Sequence, residues 1–269
     1  MNPLLLASLF LPGCEQIQPY LPTVNFQEMQ VQALDWEQVD TNFLFSVDNP
    51  NPIDIQLARF DYALSMEAVE VLSGDDPDGL LLSASGASEL ALPVTLGFDD
   101  LYDLVLATRG EDIIDFGLAG SFGFNTPVGP VNLPYTEDGD FPALRKPGIT
   151  FTGITVEELS ILDATLALNL DIDNDHGSSL LFQQANWTLQ LGGLEAGSGL
   201  VADLAEVAGA STESVSIPVT IDFLDMGIAL YDLLTSGAVD ASLEASIDVE
   251  TPFGTLPFSF SREGEIPLY

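Results

Sequence analysis

The chain has 269 residues, 46% of them hydrophobic, so it is long enough to bury one large core or two cores of ordinary size. Forty-two Asp and Glu residues face five Lys and Arg residues, which gives a formal net charge of -37 at pH 7. This charge excludes nucleic acid as a partner, because an acidic surface repels phosphate backbones.

The first predicted element is a lipoprotein signal. An apolar run over residues 3–13 ends at Cys14, the only cysteine in the chain. The run is shorter than the roughly 20 residues that span a bilayer, and it is typical of a secretory signal. A resemblance to the bacterial lipobox rests on the three residues before the cysteine: Leu11, Pro12 and Gly13. We therefore predict a signal peptide over 1–13, a lipidated Cys14 and a tether over 14–23.

This predicted anchor implies a membrane partner and a place in the bacterial cell envelope. The expected location is the periplasmic face of the outer membrane or the cell surface, since acyl chains hold a protein on a bilayer. A buried N-terminal strand with an incidental free thiol is the alternative that the sequence leaves open. No Lys or Arg precedes the apolar run, which is a departure from the signal pattern.

The rest of the chain repeats itself at an offset of 125 residues. The segment TPVGPVNLPYTEDGDFP (126–142) matches TPFGTLPFSFSREGEIP (251–267) at five positions without a gap. Other matches at the same offset extend over most of the chain. The repeat predicts two homologous domains, over residues 24–146 and 147–269.

Each copy reads mainly as β-strand, because apolar and polar residues alternate. Proline lies inside two such runs, at Pro93 and Pro218, which predicts edge strands or bulges there. Helical spacing occurs once per copy, over 98–110 and over 223–237, each time ending at a glycine. These elements predict an all-β fold with one helix per domain, arranged as an antiparallel sandwich.

The first copy resembles the group-2 late embryogenesis abundant family, also called the WHy domain. The resemblance rests on FLFSVDNPNPIDIQLARFDYALSMEAVEVLSG, where a strand, a turn and a second strand follow one another. The turn consists of Asn49, Pro50, Asn51 and Pro52. The second copy has DIDNDHG in its place, so its assignment rests on the repeat.

This resemblance implies two tandem immunoglobulin- or fibronectin-III-like sandwiches of about seven strands plus a helix. It also implies a non-enzymatic role in water stress and desiccation. Two alternatives from other classes remain: a lipid- or apolar-ligand-binding module using the helix flanks around Leu101 and Leu230, and an adhesive or scaffolding partner in an envelope complex.

The inventory of reactive residues argues against catalysis and against a cofactor. His176 is the only histidine, and it lies in an acidic turn without a nucleophile elbow nearby. Zinc sites need several His or Cys residues, and no Gly-rich phosphate loop is present. We therefore predict no enzyme activity, no cofactor and no metal. A weak calcium candidate is formed by Asp171, Asp173 and Asp175.

Overall fold

The structure is a computed structural model that describes residues 21–76, 80–104, 111–127, 129–223, 229–235 and 238–267. The elements of the first half are β1 (Thr23–Leu34), β2 (Gln38–Asn49), β3 (Ile55–Met66), β4 (Val69–Asp76), β5 (Leu80–Leu82), β6 (Gly86–Gly97), α1 (Phe98–Leu104), β7 (Ile113–Thr126) and β8 (Gly129–Pro142). Those of the second half are β9 (Gly148–Leu159), β10 (Asp163–Asn174), β11 (Leu180–Leu191), β12 (Leu194–Val201), β13 (Ala205–Val207), β14 (Ser211–Asp222), α2 (Ala229–Leu234), β15 (Ala238–Thr251) and β16 (Gly254–Pro267).

The strands confirm the duplication seen in the sequence. Every strand of the second half begins and ends 125 residues after its counterpart, so that β1 corresponds to β9 and β8 to β16. Each half has eight strands where the family resemblance implied about seven. The extra strands, β5 and β13, are three residues long and pair with β3 and β11. Such short segments carry too few residues to show an alternation in the sequence.

Each half forms two antiparallel sheets. The first half has the order β1-β2-β6 in one sheet and β4-β3-β7-β8 in the other, and the second half repeats these orders as β9-β10-β14 and β12-β11-β15-β16. Apolar residues point between the sheets because side chains alternate along a strand. The predicted all-β class, with tandem sandwiches, is confirmed.

The two prolines inside strands lie where a missing N–H is tolerated. Pro93 is on β6 and Pro218 is on β14, and both strands stand at the edge of a three-stranded sheet. An edge strand has one side without ladder hydrogen bonds, so proline there removes none. The predicted edge positions are confirmed.

The long hairpins end in the same turn in both halves. The Thr126 hydroxyl donates to the Gly129 carbonyl at 2.7 Å, and the Thr251 hydroxyl donates to the Gly254 carbonyl at 2.8 Å. Both glycines have positive φ, 115° and 123°. A side chain at either position would be strained, so glycine is required for this turn.

The described residues divide into two compact units. The first contains 21–34, 38–104 and 115–141, and the second contains 35–37, 111–114 and 142–267. The second unit therefore includes the turn between β1 and β2 as well as the start of β7. The predicted domain bounds at 146 and 147 follow the repeat, and stay a prediction.

Aromatic rings fill the core of the first unit. Phe45 lies 5.2 Å from Phe122 and 5.3 Å from Tyr135, measured between ring centroids, and Phe43 lies 5.3 Å from Phe116. These contacts join β2 of one sheet to β7 and β8 of the other.

Burial raises the pKa of Tyr135, and the nearby Asp61 carboxylate raises it further.

The core of the second unit is mainly aliphatic. It is lined from both sheets by Leu168, Leu170, Leu189, Ile217, Val219 and Leu243. The helix α2 closes this core with Leu230, which is fully buried, and α1 places the equally buried Leu101 in the first unit. Asp99 and Asp100 occupy the first turn of α1, where carboxylates are stabilised by the helix dipole. The predicted helix ends at Gly110 and Gly237 lie outside the described residues.

Candidate functional site

The family turn is held by one buried asparagine. The Asn49 side chain is 2% exposed, and its Nδ2 donates to the carbonyls of Ile53 at 2.9 Å, Leu82 at 3.3 Å and Ser83 at 3.0 Å. Its Oδ1 accepts from the backbone N–H of Asn51 at 3.0 Å. One amide thus ties the β2–β3 turn to the loop after β5.

The second copy has the same hydrogen bonds despite its different sequence. Asn174 Nδ2 donates to the carbonyls of Ser178 at 2.9 Å, Val207 at 3.0 Å and Ala208 at 3.1 Å. Asn174 Oδ1 accepts from the backbone N–H of His176 at 2.9 Å. All four partners stand 125 residues after those of Asn49. The sequence change at DIDNDHG therefore leaves the geometry of the turn intact, because Asn174 makes the same hydrogen bonds as Asn49.

These turns are built for structure rather than for ligand capture. Buried carbonyls need partners, and each asparagine amide shares its two N–H donors among three carbonyls. The prolines at 50 and 52 add stiffness to the first turn, because their φ angles are set in advance. Pro52 is exposed, and Asn51 is 2% exposed.

A buried cluster in the second unit surrounds the only histidine. The His176 side chain is 1% exposed, and its Nδ1 lies 3.2 Å from Asp112 Oδ1. Its Nε2 faces the backbone of Arg145, at 2.9 Å from N and 2.7 Å from O. Asp112 also accepts from the Gly177 N–H at 2.9 Å and from the Ser178 hydroxyl.

The hydrogen bonds to Asp112 outweigh the effect of its burial. Burial alone would raise the pKa of this carboxyl. The bonds from Ser178 and Gly177, together with the facing His176 imidazole, hold the pKa below its ordinary value of 3.8. The charged carboxylate is therefore the form that the folded protein stabilises.

The cluster contains Ser, His and Asp but lacks the order that acyl transfer needs. The Ser178 hydroxyl donates to Asp112, whereas a nucleophile would donate to the imidazole. His176 is almost wholly inside the protein, and Nδ1 and Nε2 both lie within 3.2 Å of polar atoms. Sequence analysis placed His176 in a turn and missed Asp112, which is 64 residues away and carries no spacing signal.

The calcium candidates lie on the outer face of β10 and in the turn that follows. Asp171 accepts from the Ser214 hydroxyl at 2.7 Å, and Asp173 accepts from the Thr212 hydroxyl at 2.5 Å. Asp175 is exposed in the turn. Two of the three carboxylates are thus bonded to hydroxyls on the neighbouring strand β14. In the part of the chain that the structure describes, no group of three or more His, Cys, Asp or Glu side chains could hold a metal ion.

The anchor residues, Leu11, Pro12, Gly13 and Cys14, lie outside the described residues. Lipidation of Cys14 thus stays a prediction. Among the helices that the structure describes, none is long and apolar enough to cross a membrane. Leu101 and Leu230, the residues named for the apolar-ligand alternative, are both 0% exposed and pack in the cores.

The acidic side chains that the structure describes all reach solvent at least in part. None of them is buried, and the buried polar residues are Thr, Asn and His. Two of the described cations face carboxylates: Arg59 Nε lies 3.6 Å from Asp61 Oδ2, and Lys146 Nζ lies 3.2 Å from Glu37 Oε1. Both ion pairs are partly exposed to solvent, so each contributes little to stability.

Comparisons with known proteins find similarity to late embryogenesis abundant proteins. The model of the late embryogenesis abundant protein family matches residues 44–139. The desiccation-related protein At2g46140 of Arabidopsis thaliana is 26% identical over 127 residues, which cover 46% of this chain and 76% of that protein.

Two solved structures are also similar. The solution structure of the late embryogenesis abundant protein At2g46140.1 is 19% identical, covers 46% of this chain and 71% of its own, and has a TM-score of 0.36. A crystal structure of a protein from Archaeoglobus fulgidus is 14% identical, covers 44% of this chain and 98% of its own, and has the same TM-score. The family model thus covers residues 44–139, and the strands of the second half repeat those of this matched segment at an offset of 125 residues.

Proposed function

We propose that this protein acts in the response to water stress as a non-enzymatic protein that protects its neighbours through a hydrated acidic surface. The observation that carries the proposal is the placement of charge: every Asp and Glu whose side chain the structure describes has access to solvent at least in part. Ionised carboxylates hold water strongly and repel one another between molecules. Such a surface resists aggregation when water becomes scarce.

The non-enzymatic part of the proposal is supported by the chemistry of the buried cluster. His176 and Asp112 are used to fix the β10–β11 turn, so the only imidazole of the chain is engaged in structure. The desiccation-related protein of Arabidopsis thaliana supports the stress-related part, because its similarity covers most of its own length.

A drying assay tests the protective role. The purified protein is mixed with a desiccation-sensitive test enzyme, dried and rehydrated, and the recovered activity is compared with that given by an equal mass of albumin. We expect a higher recovery with this protein, because its formal charge of -37 keeps neighbouring molecules hydrated and apart. A recovery no better than that with albumin would count against the proposal.

We further propose that Cys14 carries a lipid anchor that places the protein in a bacterial envelope. The support is sequence alone: the single cysteine follows an apolar run and a lipobox-like Leu-Pro-Gly. Metabolic labelling with a fatty-acid analogue should mark the wild type and leave Cys14→Ser unmarked. Equal labelling of both proteins, or of neither, would remove the anchor from the account without affecting the drying assay.

A further inference from the structure

The turn between β1 and β2 is firmly seated within the second unit. Trp36 is 6% exposed, and its indole N–H donates to the Pro257 carbonyl at 2.8 Å. The indole ring packs edge-on against Phe258, at 6.2 Å between centroids, and against His176, at 6.4 Å. The next residue, Glu37, pairs with Lys146. An apolar tip and an ion pair therefore hold this turn in place.

The corresponding turn of the second half is uncovered. Ile161 and Leu162, at the β9–β10 turn, occupy the repeat positions of Trp36 and Glu37. Their side chains are 80% and 53% exposed, and the neighbouring Leu159 is 38% exposed. Ile161 is the most exposed large hydrophobic residue in the described part of the chain. Adjacent apolar side chains in water are costly, so Ile161 and Leu162 together form an apolar tip that contact with another surface would stabilise.

The first unit has apolar side chains at positions that correspond to the site around Trp36 and Glu37, and these could receive the Ile161–Leu162 tip. Phe258 contacts Trp36 and Lys146 pairs with Glu37, and their repeat positions are Leu133 and Leu21. Ser178 lies in the same turn as His176, and its repeat position is Ile53. Phe258 is 4% exposed, whereas Ile53 is 50% exposed and both leucines are only partly buried.

The two partners of the Glu37–Lys146 ion pair are both replaced by apolar residues at their repeat positions. Glu37 and Lys146 form an ion pair, and their counterparts, Leu162 and Leu21, are both apolar. A leucine packed against a lysine would bury part of an unpaired charge, which costs free energy, whereas a leucine packed against a leucine buries only apolar surface. A second copy of this chain is thus the partner that we consider for the tip, because it carries apolar residues at the corresponding positions.

We propose that molecules of this protein associate head to tail, with the Ile161–Leu162 tip of one copy docked on the Leu21–Ile53–Leu133 surface of the next. The two surfaces lie on different parts of the chain, so the contact is heterologous and adds copies in a row. The charge of -37 on each copy opposes the contact, and salt should therefore strengthen it by screening. This inference goes beyond the proposed function and does not depend on it.

Sedimentation velocity of the full chain tests the proposal. Every sample carries Cys14→Ser, so that neither acylation nor a disulfide contributes to association. In about 1 M NaCl, where the screening length is about 3 Å, the sedimentation coefficient should rise with protein concentration. Ile161→Glu should weaken the association roughly tenfold or more, because it places a charge at the apolar contact. The matched control is Leu200→Glu, at a residue that is 58% exposed and outside both surfaces.

A mixing experiment assigns the two surfaces to each other. Ile53→Glu should abolish association as Ile161→Glu does, since each variant loses one of the two ends. An equimolar mixture retains one intact tip and one intact receiving surface, so it should form dimers and nothing larger. Unchanged circular dichroism of both variants shows that they remain folded.

Three results would overturn the proposal. The first is a wild type that stays monomeric at all concentrations in high salt, and the second is an Ile161→Glu variant that associates as the wild type does. The third is flotation of the monomer with phosphatidylcholine vesicles that Ile161→Glu abolishes, which would assign the tip to a membrane instead.

Discussion

The two units have the same strands and the same turn hydrogen bonds but fill their cores with different side chains. Where the first unit has Phe45, Phe60 and Phe122, the second has Leu170, Ala185 and Ile247. The strand bounds nevertheless stay 125 residues apart throughout. The comparison shows that the alternation and the asparagine turns define this sandwich, whereas the core accepts repacking if the pattern is kept.

The largest expected loss of unfolding free energy comes from truncating a side chain at the centre of a core. Phe45 lies within 5.5 Å of Phe26, Phe122 and Tyr135, between ring centroids, so Phe45→Ala removes several ring contacts and leaves a large cavity. We expect a loss of about 3–5 kcal/mol of unfolding free energy for Phe45→Ala, and about 2–3 kcal/mol for Leu170→Ala.

Urea unfolding followed by circular dichroism measures both losses. Tryptophan fluorescence separates the units, because Trp36 and Trp187 both belong to the second unit. Leu170→Ala should lower the fluorescence midpoint more than Phe45→Ala does. A Leu170→Ala variant that loses as much stability as Phe45→Ala would refute the contrast between an aromatic and an aliphatic core.

The asparagine turns should respond alike in the two units. Asn49→Asp and Asn174→Asp keep the shape of the side chain but replace the donating Nδ2 by an oxygen that faces three carbonyls. We expect each change to cost about 2–3 kcal/mol, since buried acceptors lose their partner. Chemical denaturation of both variants measures the cost. A small effect at one site would show that the duplicated turn has kept its geometry without its energetic role.

The two turns should differ in their response to acid. The pKa of Asp112 is held below 3.8, so its carboxylate stabilises the folded protein above that pH, and the contribution is lost as the pH falls through the lowered pKa. Asp112→Asn should cost about 1–3 kcal/mol at neutral pH and progressively less in acid. In the first unit, Asn51 stands at the position of His176 and titrates nowhere in this range.

Unfolding free energies of the wild type and Asp112→Asn, measured between neutral pH and about pH 2, check this expectation. Asn51→Ala is the control and should give a loss that does not change with pH. A constant difference between the wild type and Asp112→Asn over the whole range would show that Asp112 is not held in its charged form.

The smallest expected effects concern an aromatic ring that covers a glycine in each unit. A Cβ on Gly199 would lie 2.9 Å from Trp187 Cζ2, and one on Gly74 would lie 2.8 Å from the Tyr62 hydroxyl. The indole is buried and has little room to move, whereas the hydroxyl is the far end of its side chain. Gly199→Ala should therefore cost about 1–2 kcal/mol, and Gly74→Ala less than about 1 kcal/mol, by thermal unfolding. The reverse order would show that the tyrosine is the more confined of the two rings.

The sequence was sufficient for the fold because its signals are periodic. Alternation located the strands, the 125-residue offset related the halves, and Pro93 and Pro218 marked edges, since each signal depends on backbone geometry that neighbouring residues share. The short strands β5 and β13 were not predicted, because three residues are too few to show an alternation.

The candidate site was less predictable because its contacts join distant residues. Asp112 and His176 are separated by 64 positions without a motif, and nothing local in the sequence pairs them. The turn in DIDNDHG was interpreted as a departure from the family pattern because it lacks the prolines of the Asn-Pro-Asn-Pro turn, although it keeps the first asparagine. In the structure, Asn49 and Asn174 stabilise the two turns by donating hydrogen bonds to carbonyls about 33 residues further along the chain.

The proposed protection depends most on the acidic surface, and one comparison of variants tests that dependence directly. Eight exposed carboxylates on the two long hairpins are changed to their amides: Asp115, Asp138, Asp140, Asp240, Glu244, Asp248, Glu263 and Glu265. The matched control exchanges Asp for Glu, and Glu for Asp, at the same positions and keeps every charge. In the drying assay, we expect the amide variant to recover less test-enzyme activity than the wild type and the charge-conserving control to recover as much. Equal protection by all three proteins would contradict the claim that the charged, hydrated surface is what protects.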